Sequence, residues 1–142
     1  IDAAGLRVLL AEDHPTNQKV VQLILQSIGV EPEIVENGRQ ALDRLAVEPF
    51  DMVLMDMQMP ELDGLAATAE LRRIEAARGL PRTPVIMLTA NALDEHVRAG
   101  LEAGADRHLS KPIRASSLIE AIIEARQAAA AEAPPHQQTR IA

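Results

Sequence analysis

The chain has 142 residues, enough for one domain that buries roughly two-thirds of the surface its unfolded chain would expose. A formal net charge of -7 and a single aromatic residue, Phe50, argue against a nucleic-acid surface and favour a cation or a basic partner. No apolar run approaches the roughly 20 residues that span a bilayer, and the absence of cysteine excludes disulfides and fits a reducing compartment. We therefore expect a cytoplasmic domain that neither inserts into membranes nor binds nucleic acid.

The first predicted strand ends at two adjacent acids. The apolar run Leu6–Ala11 breaks into Glu12 and Asp13, a pattern that indicates a buried strand followed by a loop. His14 adjoins the acids, but a lone histidine in such a loop is more often solvated than a metal ligand. Residues 15–28 have apolar positions at helical spacing, with proline at the start and glycine just after the end, so they predict a helix.

The second and third predicted strands lead to another carboxylate. Glu33–Glu36 is a short strand candidate, and Asn37 is interpreted as the N-cap of the helix that follows. The run Met52–Met55 is typical of a strand buried on both faces, which would leave Asp56 at its carboxyl end. Open α/β sheets bind ligands at that end, although an aspartate there also commonly starts a turn.

The remaining elements continue the alternation of strands and helices. They are a helix capped by Asp63 and ending near Gly79, a strand over 84–90, a helix over 94–101, a strand over 105–109, and a helix from Ser116 or Ser117 to Ala131. Thr89 supplies a hydroxyl at the end of the fourth strand, and Lys111 follows the fifth. A Pro-Pro pair then predicts a domain over residues 1–131 and a disordered tail or linker over 132–142.

Five strands that alternate with five helices predict a doubly wound α/β sheet of parallel strands with right-handed crossovers. Parallel strands bring their carboxyl ends to one edge of the sheet. The polar residues expected at that edge are Glu12, Asp13, Asp56, Thr89 and Lys111.

Three converging carboxylates repel one another, so they require protonation or a cation. Oxygen ligands without histidine or cysteine favour Mg²⁺. A lysine and a hydroxyl beside a metal-bound carboxylate are suited to the charge of a transferring phosphoryl group.

The order of these motifs resembles the receiver domain of the two-component response-regulator family across residues 5–127. The matching segments are 9–13, 54–60, 63–64, 88–90, 104–106 and 109–112. Asn17-Gln18 and residues 89–92 are most similar to receivers attached to hybrid histidine kinases. The resemblance implies a flavodoxin-like (CheY-like) sheet with strand order 2-1-3-4-5 and helices on both faces.

The resemblance also implies a phosphorelay chemistry. Asp56 would accept a phosphoryl group from a phosphohistidine of a histidine kinase or a histidine phosphotransfer domain. Mg²⁺ would be bound directly by Asp13, Asp56 and the backbone carbonyl of Gln58, and by Glu12 largely through water. Lys111 would pair with Asp56 and then with a phosphoryl oxygen, and the Thr89 hydroxyl would bind another.

Further roles follow from the same resemblance. The Lys111-Pro112 bond is expected to be cis, and Gln58 and Asn91 are expected to tune hydrolysis of the aspartyl phosphate. His108 occupies the position where family members often carry an aromatic switch residue. The domain would catalyse its own phosphorylation and dephosphorylation rather than turn over a separate substrate, and its oligomeric state is left open.

Two other classes of function are compatible with parts of the pattern. A degenerate receiver would act only as an interaction module, but all five strand-end residues are present. A phosphatase of the haloacid dehalogenase type would need a second acid two residues after its nucleophile, where this chain has Gln58. Away from the strand ends, Arg72, Arg73 and Arg78 are interpreted as a solvated helix face.

Overall fold

The computed structural model describes residues 3–90 and 93–132, and its helices and strands alternate along the chain as the sequence predicts. The elements are β1 Val8–Ala11, α1 Pro15–Gln26, β2 Glu33–Val35, α2 Gly38–Val47, β3 Met52–Asp56, α3 Gly64–Arg78, β4 Val85–Thr89, α4 Asp94–Ala103, β5 Arg107–Ser110 and α5 Ala115–Glu132. The predicted boundaries differ from these by a few residues at strand and helix ends.

The strands form a parallel sheet in the order β2-β1-β3-β4-β5, which confirms the doubly wound fold. Every residue of β1, β3 and β4 is buried, which explains their unbroken apolar runs. The register pairs Asp56 with Leu88 and Thr89 with Ser110. The carboxyl ends of the three buried strands and of β5 therefore meet at one edge.

The two faces of the sheet pack against different helices. One face carries Leu10, Leu54 and Ile86, which pack in one cluster with residues of α1 and α5. Alternate residues of the same strands, including Leu9 and Met55, pack with residues of α2 and α3 on the other face. The helix side chains in these two clusters are Val21, Leu25, Leu118 and Ile122 on the first face and Ala41, Leu42, Ala67 and Leu71 on the second.

Both predicted helix caps are present. The Asn37 side-chain oxygen accepts a hydrogen bond from the Gln40 N–H at 2.9 Å at the start of α2. Asp63 accepts one from the Ala66 N–H at 2.8 Å at the start of α3. Each bond satisfies a backbone donor that has no partner within its own helix, which is why these residue types are found at helix starts.

The prediction that Arg72 is solvated is wrong. Its side chain is only 14% exposed, and its guanidinium donates to Glu75 Oε1 at 2.7 Å and to Asp106 Oδ2 at 3.0 Å. It also donates to the Gly104 carbonyl at 2.9 Å, so it ties α3 to the loop between α4 and β5. The neighbouring Arg73 side chain is 75% exposed, as predicted.

Arg72 belongs to a group of four charged side chains, which we call the amino-edge cluster: Arg72, Glu75, Arg82 and Asp106. Asp106 Oδ1 accepts from Arg82 at 3.0 Å, and its Oδ2 also accepts from the Val85 N–H at 2.8 Å. Val85 is the first residue of β4 and Asp106 directly precedes β5. The cluster therefore fixes the amino ends of two strands.

The helix α5 ends at Glu132, the last residue that the structure describes. All but the first residue of the predicted tail over 132–142 lies outside the described part of the chain. Within the described ranges, none of the helices, α5 included, is both long enough and apolar enough to cross a bilayer.

Candidate functional site

Three carboxylates meet at the carboxyl edge of the sheet. Glu12 and Asp13 directly follow β1, and Asp56 is the last residue of β3. Each offers one oxygen atom, and these three atoms all lie within 4.8 Å of one another. Glu12 and Asp56 are buried, whereas Asp13 is exposed, so the group opens to solvent on one side.

Lys111 contacts both buried acids. Its ammonium donates to Glu12 Oε1 at 2.9 Å and lies 3.2 Å from Asp56 Oδ2. The pair with Asp56 was expected, but the contact with Glu12, which is 99 residues away in sequence, was not. The Lys111-Pro112 bond is cis, as expected, and the Lys111 N–H donates to the Thr89 carbonyl at 2.7 Å. We call Glu12, Asp13, Asp56 and Lys111 the acidic site.

The buried acids shift each other's protonation. Burial and the neighbouring Glu12 carboxylate raise the pKa of Asp56 to about 7, against the opposing effect of Lys111. Burial also disfavours ionisation of Glu12, but contacts with Asp56 and Lys111 outweigh it, so the pKa of Glu12 is lowered. Burial acts to lower the pKa of Lys111, yet the two carboxylates raise it overall. Without a metal ion, Asp56 is therefore only partly ionised near neutral pH, whereas Glu12 is the more readily ionised of the two buried acids.

The residues of the acidic site fit a divalent cation. When all three carboxylates are ionised, one ammonium faces three negative charges, which leaves two of them uncompensated. Within the described residues, Glu12 Oε2 is buried and has no hydrogen-bond partner, which is costly unless a proton or a metal satisfies it. Carboxylate oxygens are hard ligands, so the chemistry of the group favours Mg²⁺.

The loop after β3 is held tightly against Asp56. The Gln58 N–H donates to Asp56 Oδ1 at 3.3 Å, and the Gly64 N–H donates to the Met57 carbonyl at 3.0 Å. A Cβ atom at residue 64 would lie 2.1 Å from the Asp56 carbonyl oxygen, so only glycine allows this approach. The loop therefore keeps the backbone of Gln58 next to the carboxylate of Asp56.

The other predicted site residues are Thr89, His108 and Asn91. Thr89 is buried at the end of β4, where its backbone carbonyl accepts a hydrogen bond from the Lys111 N–H. His108 is half-buried on the edge strand β5, opposite Met87 in the register. Asn91 lies outside the described residues.

Two residues of α1, Asn17 and Gln18, also act on Glu12. The Gln18 side-chain amide donates to the Glu12 backbone carbonyl at 2.6 Å, and the Asn17 side chain is among the groups that lower the pKa of Glu12. The sequence marks Asn17-Gln18 only as a point of resemblance. Their spacing from Glu12 carries no signal of this contact, because no helical periodicity joins a loop residue to one six positions later.

Comparison with known proteins agrees with this geometry. Residues 8–123 match the family model of the response regulator receiver domain. The sensor histidine kinase GacS of Pseudomonas protegens is 38% identical over 118 residues, which are 83% of this chain and 13% of that protein. The sensory/regulatory protein RpfC of Xanthomonas campestris is 36% identical over 120 residues, 84% of this chain and 16% of that protein. The chain therefore spans only a small part of the length of these relatives.

Solved structures show the same similarity. The receiver domain of sensor histidine kinase PA1611 from Pseudomonas aeruginosa, with magnesium coordinated in its active site cleft, is 38% identical, with a TM-score of 0.78 over 87% of this chain and 99% of that one. The receiver domain of Ssk1 from Saccharomyces cerevisiae, bound to the histidine phosphotransfer protein Ypd1, is 26% identical, with a TM-score of 0.79 over 84% and 87%. On the fold and the strand-end acids described above, these matches show that the chain belongs to the response regulator receiver domain family.

Proposed function

We propose that this receiver domain is a phosphoacceptor in which Asp56 takes a phosphoryl group from a phosphohistidine and later loses it to water. The observation that carries the proposal is the position of the Asp56 carboxylate, grouped with two further acids and 3.2 Å from the Lys111 ammonium. The donor is a histidine kinase or a histidine phosphotransfer domain, and the reaction depends on Mg²⁺.

The transfer step exchanges one bond to phosphorus for another. An ionised oxygen of Asp56 attacks the phosphorus atom, the O–P bond forms, and the P–N bond to the donor histidine breaks. The imidazole nitrogen leaves with the electron pair of that bond. Lys111, which already contacts Asp56, neutralises negative charge on the transferred group, and the Thr89 hydroxyl is proposed to bind another of its oxygens.

A bound Mg²⁺ would supply positive charge that keeps Asp56 ionised and neutralises the phosphoryl oxygens. We propose that Asp13, Asp56 and the Gln58 carbonyl would hold it directly, with Glu12 acting largely through water. Glu12 Oε2, which has no partner among the described residues, and the excess of negative charge support this ligand set. The PA1611 receiver, which coordinates magnesium in its cleft, supports the choice of metal.

Hydrolysis returns the domain to its starting state. Water attacks phosphorus, the bond to the Asp56 oxygen breaks, and inorganic phosphate leaves. The residue two positions after Asp56 is Gln58, whose amide cannot act as the general acid or base that a phosphatase carries there. We therefore expect slow dephosphorylation, with Gln58 and Asn91 setting its rate; exchange of both residues should change the half-life of the adduct, and an unchanged half-life would contradict their role.

The partner is proposed to dock beside the acidic site. α1 begins two residues after Asp13, and its Val20 and Leu23 side chains are 39% and 53% exposed. Exposed apolar side chains on the helix that follows the acids favour a protein surface that presents the phosphohistidine. The Ssk1 receiver bound to Ypd1 supports a histidine phosphotransfer protein as that partner.

The wider setting is also part of the proposal. The relatives are sensor kinases much longer than this chain, which supports a hybrid histidine kinase or phosphorelay as its context. A cytoplasmic location, a domain over residues 1–131 followed by a tail over 132–142, and a switch role for His108 are predictions of the same kind.

The proposal is tested by incubating the protein with Mg²⁺ and phosphoramidate and measuring its intact mass. We expect one labile phosphoryl adduct on the wild type and none on Asp56→Asn. The matched control is Asp51→Asn, because Asp51 is an exposed aspartate that precedes the same strand at the opposite edge of the sheet. No adduct on the wild type, or an undiminished adduct on Asp56→Asn, would contradict the proposal. Repeated turnover of unrelated phosphate monoesters would instead favour a phosphatase.

A further inference from the structure

A side chain of α1 reaches back to the acidic site. The Gln18 Nε2 donates to the Glu12 backbone carbonyl at 2.6 Å, across the loop after β1 and the start of α1. On its other side, the Glu12 N–H donates to the Val35 carbonyl at 3.0 Å. The two peptide groups that flank the Glu12 Cα are therefore both held, one by β2 and the other by α1.

The peptide that Gln18 holds is the one that joins Glu12 to Asp13. Its orientation sets the direction of the Glu12 side chain, whose Oε1 accepts from Lys111 and whose buried Oε2 has no partner within the described residues. The same peptide fixes the backbone from which Asp13 extends. One hydrogen bond thus influences two of the three carboxylates.

The start of α1 offers no equivalent restraint at its cap. His14 occupies the N-cap position, and its side chain makes no capping hydrogen bond. Pro15 begins the helix and fixes one backbone dihedral without contributing an N–H group. A side-chain hydrogen bond between the helix and the acid-bearing loop is therefore made by Gln18 and not by the cap residue.

We propose that Gln18 is a positioning residue for the acidic site, holding the Glu12–Asp13 peptide so that the carboxylates converge on one divalent cation. The inference rests on the Mg²⁺ site of the proposed function. Gln18 is not a proposed ligand of the cation and is not a reactant in the proposed transfer. Without its amide donor, the buried Glu12 carbonyl must turn to find another partner, because an unsatisfied buried carbonyl is costly.

A small rotation of this peptide is expected to affect Mg²⁺ more than it affects folding. Mg²⁺ requires near-ideal octahedral ligand positions, so displaced carboxylates bind it less tightly. The net value of one hydrogen bond corresponds to a roughly three- to tenfold change in a binding constant. We expect the loss of Mg²⁺ affinity to fall in that range.

The test replaces Gln18 by methionine, which keeps the length of the side chain and removes its donor. The matched control is Gln22→Met in the same helix, because the Gln22 amide also makes a side-chain hydrogen bond, to Glu31 Oε1 at 2.9 Å, away from the acids. Mg²⁺ binding is measured by calorimetry and by the Mg²⁺-induced rise in melting temperature of unphosphorylated protein. The Mg²⁺ concentration for half-maximal phosphorylation by phosphoramidate and the rate at saturating Mg²⁺ are measured separately.

We expect Gln18→Met to bind Mg²⁺ about three- to tenfold more weakly and to need correspondingly more Mg²⁺ for half-maximal phosphorylation. Its rate at saturating Mg²⁺ should stay close to that of the wild type, and Gln22→Met should match the wild type throughout. Unchanged Mg²⁺ affinity in Gln18→Met, an equal loss in Gln22→Met, or a lower saturated rate with an unchanged Mg²⁺ requirement would each overturn the proposal.

A second variant covers the case in which Gln18→Met does not fold. Gln18→Asn keeps the amide but is one methylene too short to reach the Glu12 carbonyl, so the same loss of Mg²⁺ affinity is expected and the same results would contradict it. Calorimetry also separates this inference from the proposed function. A wild type that binds Mg²⁺ but forms no adduct would overturn the phosphoacceptor role, while the comparison of Gln18 and Gln22 variants would still decide the role of Gln18.

Discussion

Two groups of charged side chains lie at opposite edges of the sheet, and they differ in how completely their charges are balanced. In the amino-edge cluster two arginines face two carboxylates, and all four carboxylate oxygens have donors. Glu75 is bonded to Arg72 and to the Thr83 N–H, and Asp106 is bonded to Arg72, Arg82 and the Val85 N–H. In the acidic site one lysine faces three carboxylates, and one buried oxygen has no partner within the described residues.

This difference in charge balance distinguishes a structural cluster from one that favours binding of a cation. A closed, neutral group gains nothing from a further ion, whereas two uncompensated negative charges and an unsatisfied oxygen make binding of a dication favourable. We therefore expect substitutions in the amino-edge cluster to cost stability regardless of Mg²⁺. Substitutions in the acidic site should have effects that depend on Mg²⁺ and pH.

The largest effect is expected at Arg72. Arg72→Met leaves Glu75 and Asp106 without one of their cations, and an uncompensated buried charge typically costs about 3–5 kcal/mol. The loss should appear as a lower free energy of unfolding in urea, equal with and without Mg²⁺. Arg73→Met, one residue away on an exposed surface, should change stability by less than about 1 kcal/mol. Equal effects of the two variants would show that the cluster is not a structural unit.

The sequence predicted the backbone framework of both edges but not the contacts of Arg72. Alternating apolar runs are sufficient to locate the strands and to bring Glu12, Asp13 and Asp56 to one edge, because parallel strands share a direction. Helical periodicity distinguishes apolar from polar faces, but it does not show which polar side chain crosses to another element. Arg72 reaches Asp106, 34 residues away, and its apparent place on a solvated face was therefore misleading.

The acidic site shows the same limit. The pair of Lys111 with Asp56 follows from the resemblance to receivers, whereas the shorter contact of Lys111 with Glu12 depends on the exact depth of each side chain. Likewise, a glutamine in a helix gives no sign that its amide turns back to a carbonyl six residues earlier. Local patterns specify strand ends, but side-chain directions are settled only by tertiary packing.

Lys111 provides a second contrast with Arg72. Lys111→Met removes the only described cation that contacts the buried Glu12 and Asp56, so we expect a loss of about 3 kcal/mol in the absence of metal. Saturating Mg²⁺ should reduce this loss, because a bound dication neutralises the same carboxylates. Lys19→Met, at an exposed position of α1, is the control. Urea unfolding with EDTA and with Mg²⁺ gives the comparison; a loss that Mg²⁺ does not reduce would contradict the charge imbalance.

Removal of an acid should change the stability of the metal-free protein in the opposite direction, by raising it. Asp56→Asn takes one negative charge out of the acidic site, so the metal-free protein should gain on the order of 2 kcal/mol at pH 8. Mg²⁺ should then stabilise the variant much less than the wild type. The measurement is again urea unfolding with EDTA and with Mg²⁺. Destabilisation of metal-free Asp56→Asn at pH 8 would show that the carboxylates do not repel one another there.

The pH dependence of stability of the metal-free protein tests the same repulsion between carboxylates. The pKa of Asp56 is about 7 in the folded state and about 3.9 in an unfolded chain. Between these values the folded state binds more protons, so the contribution of Asp56 to stability falls as pH rises and is lost above the folded pKa. We expect the wild type in EDTA to be less stable at pH 8 than at pH 5, relative to Asp56→Asn. A difference between the two proteins that does not change with pH would contradict the raised pKa.

The smallest expected effect concerns backbone strain at the acidic edge. α3 and α4 end in glycines with positive φ, Gly79 and Gly104, but Glu61, in the loop after β3, holds a φ of 64° without being glycine. That conformation costs a residue other than glycine roughly 1–2 kcal/mol. Glycine avoids this cost, but its larger conformational entropy in the unfolded chain cancels part of the gain in stability. Glu61→Gly should therefore stabilise the domain by only about 0.5 kcal/mol in urea unfolding. Glu61→Ala, which removes the side chain and keeps the strain, is the control. If the alanine variant gained as much as the glycine variant, the gain would come from the lost charge near the acidic site rather than from the backbone.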